Sequence, residues 1–408
     1  MPRRGPRPVA WLHGGLSYGG GERVLVEQVR ALEPTGRPVD VWSLDLPGAP
    51  QDLPAVVHAA NRHVRRVGTV TSSRRLFWTL LRGGYEAVFT CWVPRGYRAI
   101  QRLERWRVLP RPAVIETVHE RYPRFIEDPG GRRGDTVNLF LLTYDFRDTA
   151  TGYFRATPER LAIARPLFPH LLRSSDAGIP ERAAALRASL GIGPEAVVVG
   201  HVGRVAAAKG VHHVLAMVER LVTRGVDVHL LAAGRVQWNE EEFGRQWRAL
   251  EARADEPGSP LRGRFHRLGP VEDSGAVYGA CDVVPLCSTV EGLLPLMLVE
   301  AMSLGCAVVT TDVGGIGASL RDGVDAFVVR KVPDDVKDPT PAVLAEFEAR
   351  LTRLVTDRAE RARVGAAGRA RVEALVAGND FHGDVRAALD RALALPRRPR
   401  RAAVQPRS

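Results

Sequence analysis

The chain has 408 residues, of which 45% are hydrophobic and 25% charged, so it is a globular protein too long for one ordinary core. Its formal net charge is +12, and part of that excess lies in two arginine-rich ends, 2–8 and 395–408. Such ends are typical of disordered tails that allow weak association with a membrane surface. No nucleic-acid recognition motif is seen, and the four cysteines form no CxxC pair. No apolar window approaches the roughly 18 residues of a membrane span. We therefore expect a cytoplasmic protein, and the missing recognition motif predicts that it has no nucleic-acid partner.

The first half begins with a strand, a glycine-rich loop and a helix. The strand is predicted over 8–13, and Gly19, Gly20 and Gly21 precede a helix over 22–32. This order is typical of a nucleotide-binding fold, although the glycines are bunched rather than spaced as the dinucleotide fingerprint GxGxxG. The glycines would let a ligand approach the backbone closely. A flexible entry loop without a ligand is the alternative.

Further strands alternate with helical patterns, which predicts a parallel sheet. The strands are expected at 39–44, 64–70, 87–91, 113–119, 138–144 and 160–165. His119 ends one of them, at the sheet edge where ligand-binding residues collect in such folds. We therefore expect His119 to line the site, although a lone histidine also serves as a structural hydrogen-bonding group.

Domain boundaries follow from a proline-rich stretch, 166–180, which is predicted to be the linker between two domains. We expect an N-terminal domain over 1–175 and a C-terminal domain over 176–378. A helix within 379–395 is expected to cross back to the N-terminal domain, before the basic tail 396–408.

The second half restarts the alternation, with strands expected at 196–202, 226–232, 264–268, 282–288, 306–311 and 326–329. The helices are expected at 211–221, 342–355, 358–376 and 381–393. The loop after the first of these strands, GRVAAAKG over 203–210, carries Arg204 and Lys209. Two fixed cations there could hold a diphosphate and neutralise charge on a leaving phosphate. A solvated surface pair is the alternative.

The stretch 281–312 predicts strand, loop, helix and strand. Glu291 lies in the loop, Pro295 suits the first helical position, and Glu300 lies within a helix that stops at Gly305. The amino end of this helix follows the carboxyl end of a strand, which is where an open α/β sheet binds anions. Glu291 and Glu300 flank that position.

These motifs together resemble the retaining, GT-B-fold glycosyltransferases of family 4, which use nucleotide sugars. The resemblance rests on GGGERVLVEQVRAL (19–32), GRVAAAKGV (203–211), VHLLAAGR (228–235), RLGPV (267–271), STVEGLLPLMLVEAMSLGCAVVTTDVGGI (288–316) and LVTDRAERARVGAAGRARVEALV (354–376). It implies an α/β protein of two Rossmann-like domains, whose parallel sheets face each other across a cleft. It also implies a hexosyltransferase-type enzyme that needs no cofactor besides its nucleotide-sugar substrate.

The resemblance implies a role for each motif residue. Arg204 and Lys209 match the phosphate-binding pair, and Glu300 matches the acid that holds the ribose hydroxyls. Glu291 matches the acid that contacts the transferred sugar, and His119 would lie near that sugar. The remaining donor-side residues are glycines and loop amides: Gly203, Gly269, Gly292, Leu293 and Leu294, with Gly19, Gly20 and Gly21 facing the phosphates or the acceptor.

The chain departs from the family pattern in one place. Eight residues separate Glu291 from Glu300, whereas the family usually has seven, which would put the first acid at Gly292. We expect the extra residue at Leu293 or Leu294, and Glu291 either stays in reach of the site or moves out of it. No Asp-x-Asp motif appears, so we expect no obligatory metal ion.

Several readings of the function stay open from the sequence. The sequence does not identify the acceptor, the base of the donor or the type of linkage. The acceptor is a natural product, another small molecule, a glycan or a lipid. A sugar-nucleotide epimerase or phosphorylase of the same architecture is one alternative. An atypical or non-catalytic member of the family is the other.

Overall fold

The computed structural model describes residues 5–14, 20–44, 54–91, 99–100, 102–103, 112–118, 136–141, 158–237, 240–291, 294–330 and 338–395. Gly19, His119, Gly292 and Leu293 lie outside the described residues, as does most of both basic ends. The chain divides into two compact units, 1–166 with 380–408, and 167–379. This division places residues 167–175 in the second unit, whereas the sequence analysis placed them in the first domain.

The first unit contains a seven-stranded parallel sheet. In chain order its strands are β1 (Val9–His13), β2 (Val39–Ser43), β3 (Val64–Thr69), β4 (Ala87–Thr90), β5 (Ala113–Val118), β6 (Thr136–Phe140) and β7 (Leu161–Ile163). They lie side by side in the order β3-β2-β1-β4-β5-β6-β7. Its described helices span Gly20–Ala31, Pro54–Ala60, Ser73–Gly83 and Phe381–Ala394.

The second unit contains a six-stranded parallel sheet. Its strands are β8 (Val197–Val202), β9 (Val228–Ala233), β10 (Phe265–Gly269), β11 (Val283–Leu286), β12 (Ala307–Asp312) and β13 (Phe327–Arg330), in the spatial order β10-β9-β8-β11-β12-β13. Its described helices span Ile179–Ser189, Val211–Thr223, Glu241–Asp255, Ser274–Gly279, Leu296–Ser303, Ile316–Ser319, Pro341–Thr356 and Arg358–Ala377.

The central strands of both sheets are short, rich in valine and apolar on both faces. Every residue of β8 and β9 is buried, as expected for central parallel strands that are covered by helices on each side. The strands expected from the sequence are confirmed, with ends that differ by a few residues. The helices Ile179–Ser189 and Glu241–Asp255 were not predicted, because the first follows the proline-rich stretch and the second has few apolar residues.

The helix Phe381–Ala394 belongs to the first unit, although it follows the whole second unit in sequence. Its His382 Nε2 lies 2.9 Å from Oε2 of the buried Glu27. Arg386 donates to the carbonyl of Ala31 at 3.2 Å. These contacts hold the end of the described chain against the first helix of the protein.

Strand order reverses direction once in each sheet, between β1 and β4 and between β8 and β11. At such a point the connections from two adjacent strands leave toward opposite sides. A crevice therefore opens beyond the carboxyl ends of those strands, and ligands bind there in open α/β sheets. In the second unit, the residues at this point are the loop 203–210 and the loop that contains Glu291.

Candidate active site

The loop 203–210 is shaped by a close approach to the loop after β9. A Cβ on Gly234 would overlap the carbonyl oxygen of Gly203, so only glycine fits where the two backbones meet. Beyond that point Val205 forms a parallel bridge with Val236, and its N–H donates to the carbonyl of Arg235 at 2.9 Å. Gly234 also donates to the carbonyl of Gly269 at 2.7 Å. The predicted donor-side residues Gly203 and Gly269 are therefore linked through Gly234.

Arg204 is held at the rim of this loop with its guanidinium exposed. Its Nη1 donates to Oε1 of Gln237 at 2.9 Å, and its carbonyl oxygen lies 3.2 Å from Nε2 of His201. His201 is 1% exposed, and burial lowers its pKa to about 4. The imidazole is therefore neutral at pH 7, and it can donate its Nε2–H to the Arg204 carbonyl. An exposed guanidinium on a braced backbone can turn toward an anion.

Lys209 ends a single 3₁₀ turn, Ala207–Lys209, that packs on the loop after β11. Gly210 follows with a φ of 65°, and a Cβ there would overlap the carbonyl oxygen of Cys287. The carbonyl of Ala208 accepts two hydrogen bonds from the opposite loop, from the Ser288 hydroxyl and the Thr289 N–H, each at 2.9 Å. These two hydrogen bonds therefore hold the two loops together at the residue before Lys209.

With the two loops held together in this way, the ammonium of Lys209 donates to Oε1 of Glu291. The two side chains are 17% and 10% exposed, so the ion pair is largely withdrawn from water. The structure thus places Glu291 next to Lys209, even though eight residues rather than seven separate it from Glu300.

Glu300 lies one turn inside the helix Leu296–Ser303, and its side chain is 2% exposed. A buried carboxylate needs a compensating cation or hydrogen bonds. Arg173 provides the cation, with its Nε and Nη2 at 2.9 and 2.5 Å from Oε1 of Glu300. Arg173 was not predicted as a site residue, because it lies 127 residues before Glu300 in a stretch that is typical of a linker.

The helix that carries Glu300 presents its amino end to the same loops. The helix begins at Leu296, and Pro295 precedes it with an extended ψ of 132° rather than forming its first residue as predicted. The reason is that proline fixes only φ, so ψ is free to bring the chain in from the loop. Met297 lies near Gly203, and Leu294 is fully buried. The first N–H groups of this helix therefore lie beside the loop with the two cations.

The site residues predicted in the first unit are described only in part. Gly20 and Gly21 form the first two residues of the helix Gly20–Ala31, rather than a loop before it. The helix begins two residues earlier than predicted because the glycines adopt its first turn. Gly19 and His119 are outside the described residues, as are Gly292 and Leu293 between Glu291 and the helix.

The part of the chain that the structure describes contains neither a metal-binding cluster nor a membrane-spanning helix. Among the residues that the structure describes, no three His, Cys, Asp or Glu side chains group together so that they could hold a metal ion. Within the same part of the chain, no helix has the length and apolar character that crossing a membrane requires.

Part of the chain is similar in sequence to known proteins. The family model described as "Glycosyl transferases group 1" matches residues 196–346. D-inositol 3-phosphate glycosyltransferase of Corynebacterium urealyticum is 33% identical over 155 residues, covering 38% of this chain and 34% of that protein. Alpha-maltose-1-phosphate synthase of Mycobacterium tuberculosis is 29% identical over 197 residues, or 47% of each. The chain thus spans less than half the length of these curated relatives.

A solved structure covers almost the whole chain. HepE of Anabaena, in complex with UDP-glucose, has a TM-score of 0.71 and 17% sequence identity, and the match covers 95% of this chain and 100% of that one. At this identity the likeness concerns the fold, which is the GT-B fold of two Rossmann-like units expected from the sequence. Residues 196–346, which contain Arg204, Lys209, Glu291 and Glu300, match the model of the glycosyl transferases group 1 family.

Proposed function

We propose that the protein is a retaining glycosyltransferase, which moves a sugar from a nucleoside-diphosphate sugar to an acceptor. One observation carries the proposal. Arg204 and Lys209 lie on one braced loop at the point where the strand order of the second sheet reverses, beside a helix amino end. Cations and free backbone N–H groups at such a point suit a pyrophosphate.

The donor would bind through its phosphates to Arg204 and Lys209. Arg204 is exposed and can turn to a phosphate, whereas Lys209 must exchange the carboxylate of Glu291 for one. As the bond from the sugar to the pyrophosphate breaks, negative charge grows on the leaving phosphate oxygen. The two cations and the helix amino end would stabilise that charge, which is the main catalytic contribution that we assign to this chain.

The acids would bind the two ends of the donor. Glu300, one turn into the helix, is assigned to the ribose hydroxyls, and Glu291 to the hydroxyls of the transferred sugar. The backbone amides of Gly292, Leu293 and Leu294 follow Glu291 in sequence and are assigned to the sugar or the phosphates. His119 and the glycines at 19–21 remain proposals for the sugar and acceptor side.

Retention of configuration is supported by how these acids are engaged. Glu291 accepts from Lys209 and Glu300 from Arg173, so each is held by a cation rather than prepared to attack the sugar. We therefore assign the attack to the acceptor itself, on the face from which the nucleotide leaves. The acceptor proton would pass to the departing phosphate oxygen, which balances the charge.

The first donor to test is UDP-glucose, because the structurally similar HepE was solved with it. Thermal shift and calorimetry with UDP, GDP and ADP would identify the base, since a ligand at about 100 times its Kd stabilises a protein by roughly 2.7 kcal/mol. Lys209→Ala and Arg204→Ala should abolish most of that shift. Arg224→Ala is a matched control, because Arg224 is exposed at the other end of the helix that starts after Lys209.

Turnover would then be followed with the selected donor and a panel of acceptors. A product whose anomeric configuration by NMR equals that of the donor supports retention, and an inverted product contradicts it. Conversion of the donor to an epimer without any acceptor would instead indicate an epimerase. Binding of no nucleoside diphosphate at millimolar concentration would contradict the proposal as a whole.

A further inference from the structure

Arg173 lies near the start of the second unit, in the 3₁₀ helix Arg173–Ser175. Its neighbours Phe168 and Leu171 are 1% and 0% exposed, so the segment is anchored by apolar side chains. The segment lies against the helix that carries Glu300, because the N–H of Arg173 donates to the Ser303 hydroxyl at 2.9 Å. The backbone of Arg173 is thereby fixed relative to Glu300.

The guanidinium of Arg173 is fixed from two sides. Its Nη2 also reaches the hydroxyl of Ser274 at 3.3 Å, in addition to the two contacts with Oε1 of Glu300. Ser274 begins the helix Ser274–Gly279, so three separate segments meet at this guanidinium. Both guanidinium contacts fall on the same carboxylate oxygen, which sets the direction in which the other oxygen points.

The environment of Glu300 explains why such a partner is needed. The carboxylate is 2% exposed, and a buried charge without a cation is strongly unfavourable. Arg173 forms an ion pair with this carboxylate, and its own side chain is 31% exposed. Arg173 can therefore hold the carboxylate of Glu300 in one orientation.

We propose that Arg173 is a positioning residue, which holds the carboxylate of Glu300 in the orientation that accepts hydrogen bonds from the donor ribose. This inference rests on the proposed function, because it takes Glu300 as the ribose-binding group. It adds a requirement outside the matched region 196–346, in the segment that joins the two units. Donor recognition in this chain thus depends on a residue that lies before the second sheet begins.

The experiment compares a nucleoside diphosphate with its 2′,3′-dideoxy analogue by calorimetry. The probe is whichever of UDP, GDP and ADP the full-length protein binds most tightly. In the unmodified protein, loss of the ribose hydroxyls should weaken binding about 10- to 100-fold, the usual effect of a hydrogen bond to a charged group. In Arg173→Gln this ratio should fall to about threefold or less, and Arg173→Lys should give an intermediate ratio.

Kinetics give a second readout that a purely structural role would not move. Arg173→Gln should raise the donor KM about 10-fold or more and change kcat by less than about threefold, because uniform binding is lost. Arg182→Gln is the control, since Arg182 is exposed and pairs with Asp176 and Asp273 rather than with Glu300. In Arg182→Gln, loss of the ribose hydroxyls should weaken nucleotide binding by the same factor as in the unmodified protein.

The outcomes separate this inference from the proposed function. Suppose that the ribose hydroxyls no longer strengthen binding in Glu300→Gln, but still strengthen it about 10- to 100-fold in Arg173→Gln. Arg173 is then only structural and the inference is wrong. If Glu300→Gln also keeps the ratio, the ribose assignment of Glu300 fails. If Arg173→Gln does not fold, the double variant with Glu300→Gln shows whether the unpaired charge is the cause. Arg173→Lys then replaces Arg173→Gln as the test, through the factor by which loss of the ribose hydroxyls weakens its binding.

Discussion

The ammonium of Lys209 binds the carboxylate of Glu291, 82 residues further along the chain, at the carboxyl ends of β8 and β11. The pair joins a group suited to phosphate with a group suited to sugar hydroxyls. Both side chains are mostly buried, so each holds the charge of the other where water is scarce. A donor that binds here must separate them, and its phosphate must replace the carboxylate that Lys209 gives up.

Removal of the Lys209 ammonium should reduce turnover far more than it reduces stability. Lys209→Ala is expected to lower kcat about 10²- to 10³-fold, the usual effect of losing one donor to a developing oxyanion. Lys209→Arg should recover part of the rate, because it keeps a cation of different shape. Steady-state kinetics with the selected donor will test this, and Arg224→Ala should behave as the unmodified protein. Unchanged kcat in Lys209→Ala would remove Lys209 from the site.

Neutralising Glu291 should affect a nucleoside diphosphate and a nucleotide sugar in opposite directions. Glu291→Gln frees Lys209 from an ionic partner, so the Kd for the nucleoside diphosphate should fall about 3- to 10-fold. The same change removes the proposed acceptor of sugar hydroxyls, so kcat/KM for the nucleotide sugar should fall at least about 10-fold. Calorimetry and kinetics on one preparation measure both. A parallel loss in the two quantities would mean that Glu291 only supports the fold.

Gly210 should not tolerate even a methyl group. Gly210→Ala imposes a φ of 65° on a residue with a Cβ and drives that Cβ into the carbonyl of Cys287. The backbone strain alone is worth about 1–3 kcal/mol, and the overlap adds to it. Gly191→Ala is the control, because Gly191 has a φ of 66° with open space around its Cβ. Urea unfolding should show a clearly larger loss for Gly210→Ala, and equal losses would contradict the packing of this loop.

Acid should destabilise the second unit through three histidines that are buried or half-buried. Burial lowers the pKa of His201 from 6.5 to about 4, and it lowers those of His212 and His229 in the same direction. The unfolded chain therefore takes up protons below pH 6.5 that the folded protein does not bind until about pH 4. Stability is present above pH 6.5 and is lost as the pH falls from 6.5 toward 4.

His201 by itself should account for about 2 kcal/mol of the stability lost between pH 7 and pH 5. Urea unfolding at the two pH values, with the unmodified protein and with His201→Gln, will measure this contribution. The variant should lose less stability on acidification, because glutamine does not titrate. The same pH dependence in both proteins would show that His201 does not remain neutral in the folded state.

We expect transfer to continue when divalent metal ions are removed. The reason is that Arg204, Lys209 and the helix amino end already provide positive charge for the leaving pyrophosphate. Turnover should change less than about twofold after dialysis against EDTA. A loss of activity that magnesium restores would show that a metal ion shares this role.

The amino-acid sequence alone predicted the elements of both sheets, because short runs of valine and leucine bounded by glycine and proline favour parallel strands. It also indicated Arg204, Lys209 and Glu300, since local order places them after strand ends or near a helix start. The start of the helix Leu296–Ser303 was predicted one residue too early, at Pro295. A proline permits either position, and the loop geometry that decides between them is not local.

What the sequence by itself determined is therefore the order of the elements and which polar groups lie at their ends. What only the tertiary structure decided is which of those groups meet. Lys209 and Glu291 touch because the backbone of Ala208 is fastened to Ser288 and Thr289. Arg173 reaches Glu300 because the burial of Leu171 brings the start of the second unit against the helix of Glu300. Contacts between residues so far apart in sequence depend on how elements pack, and no local pattern records that packing.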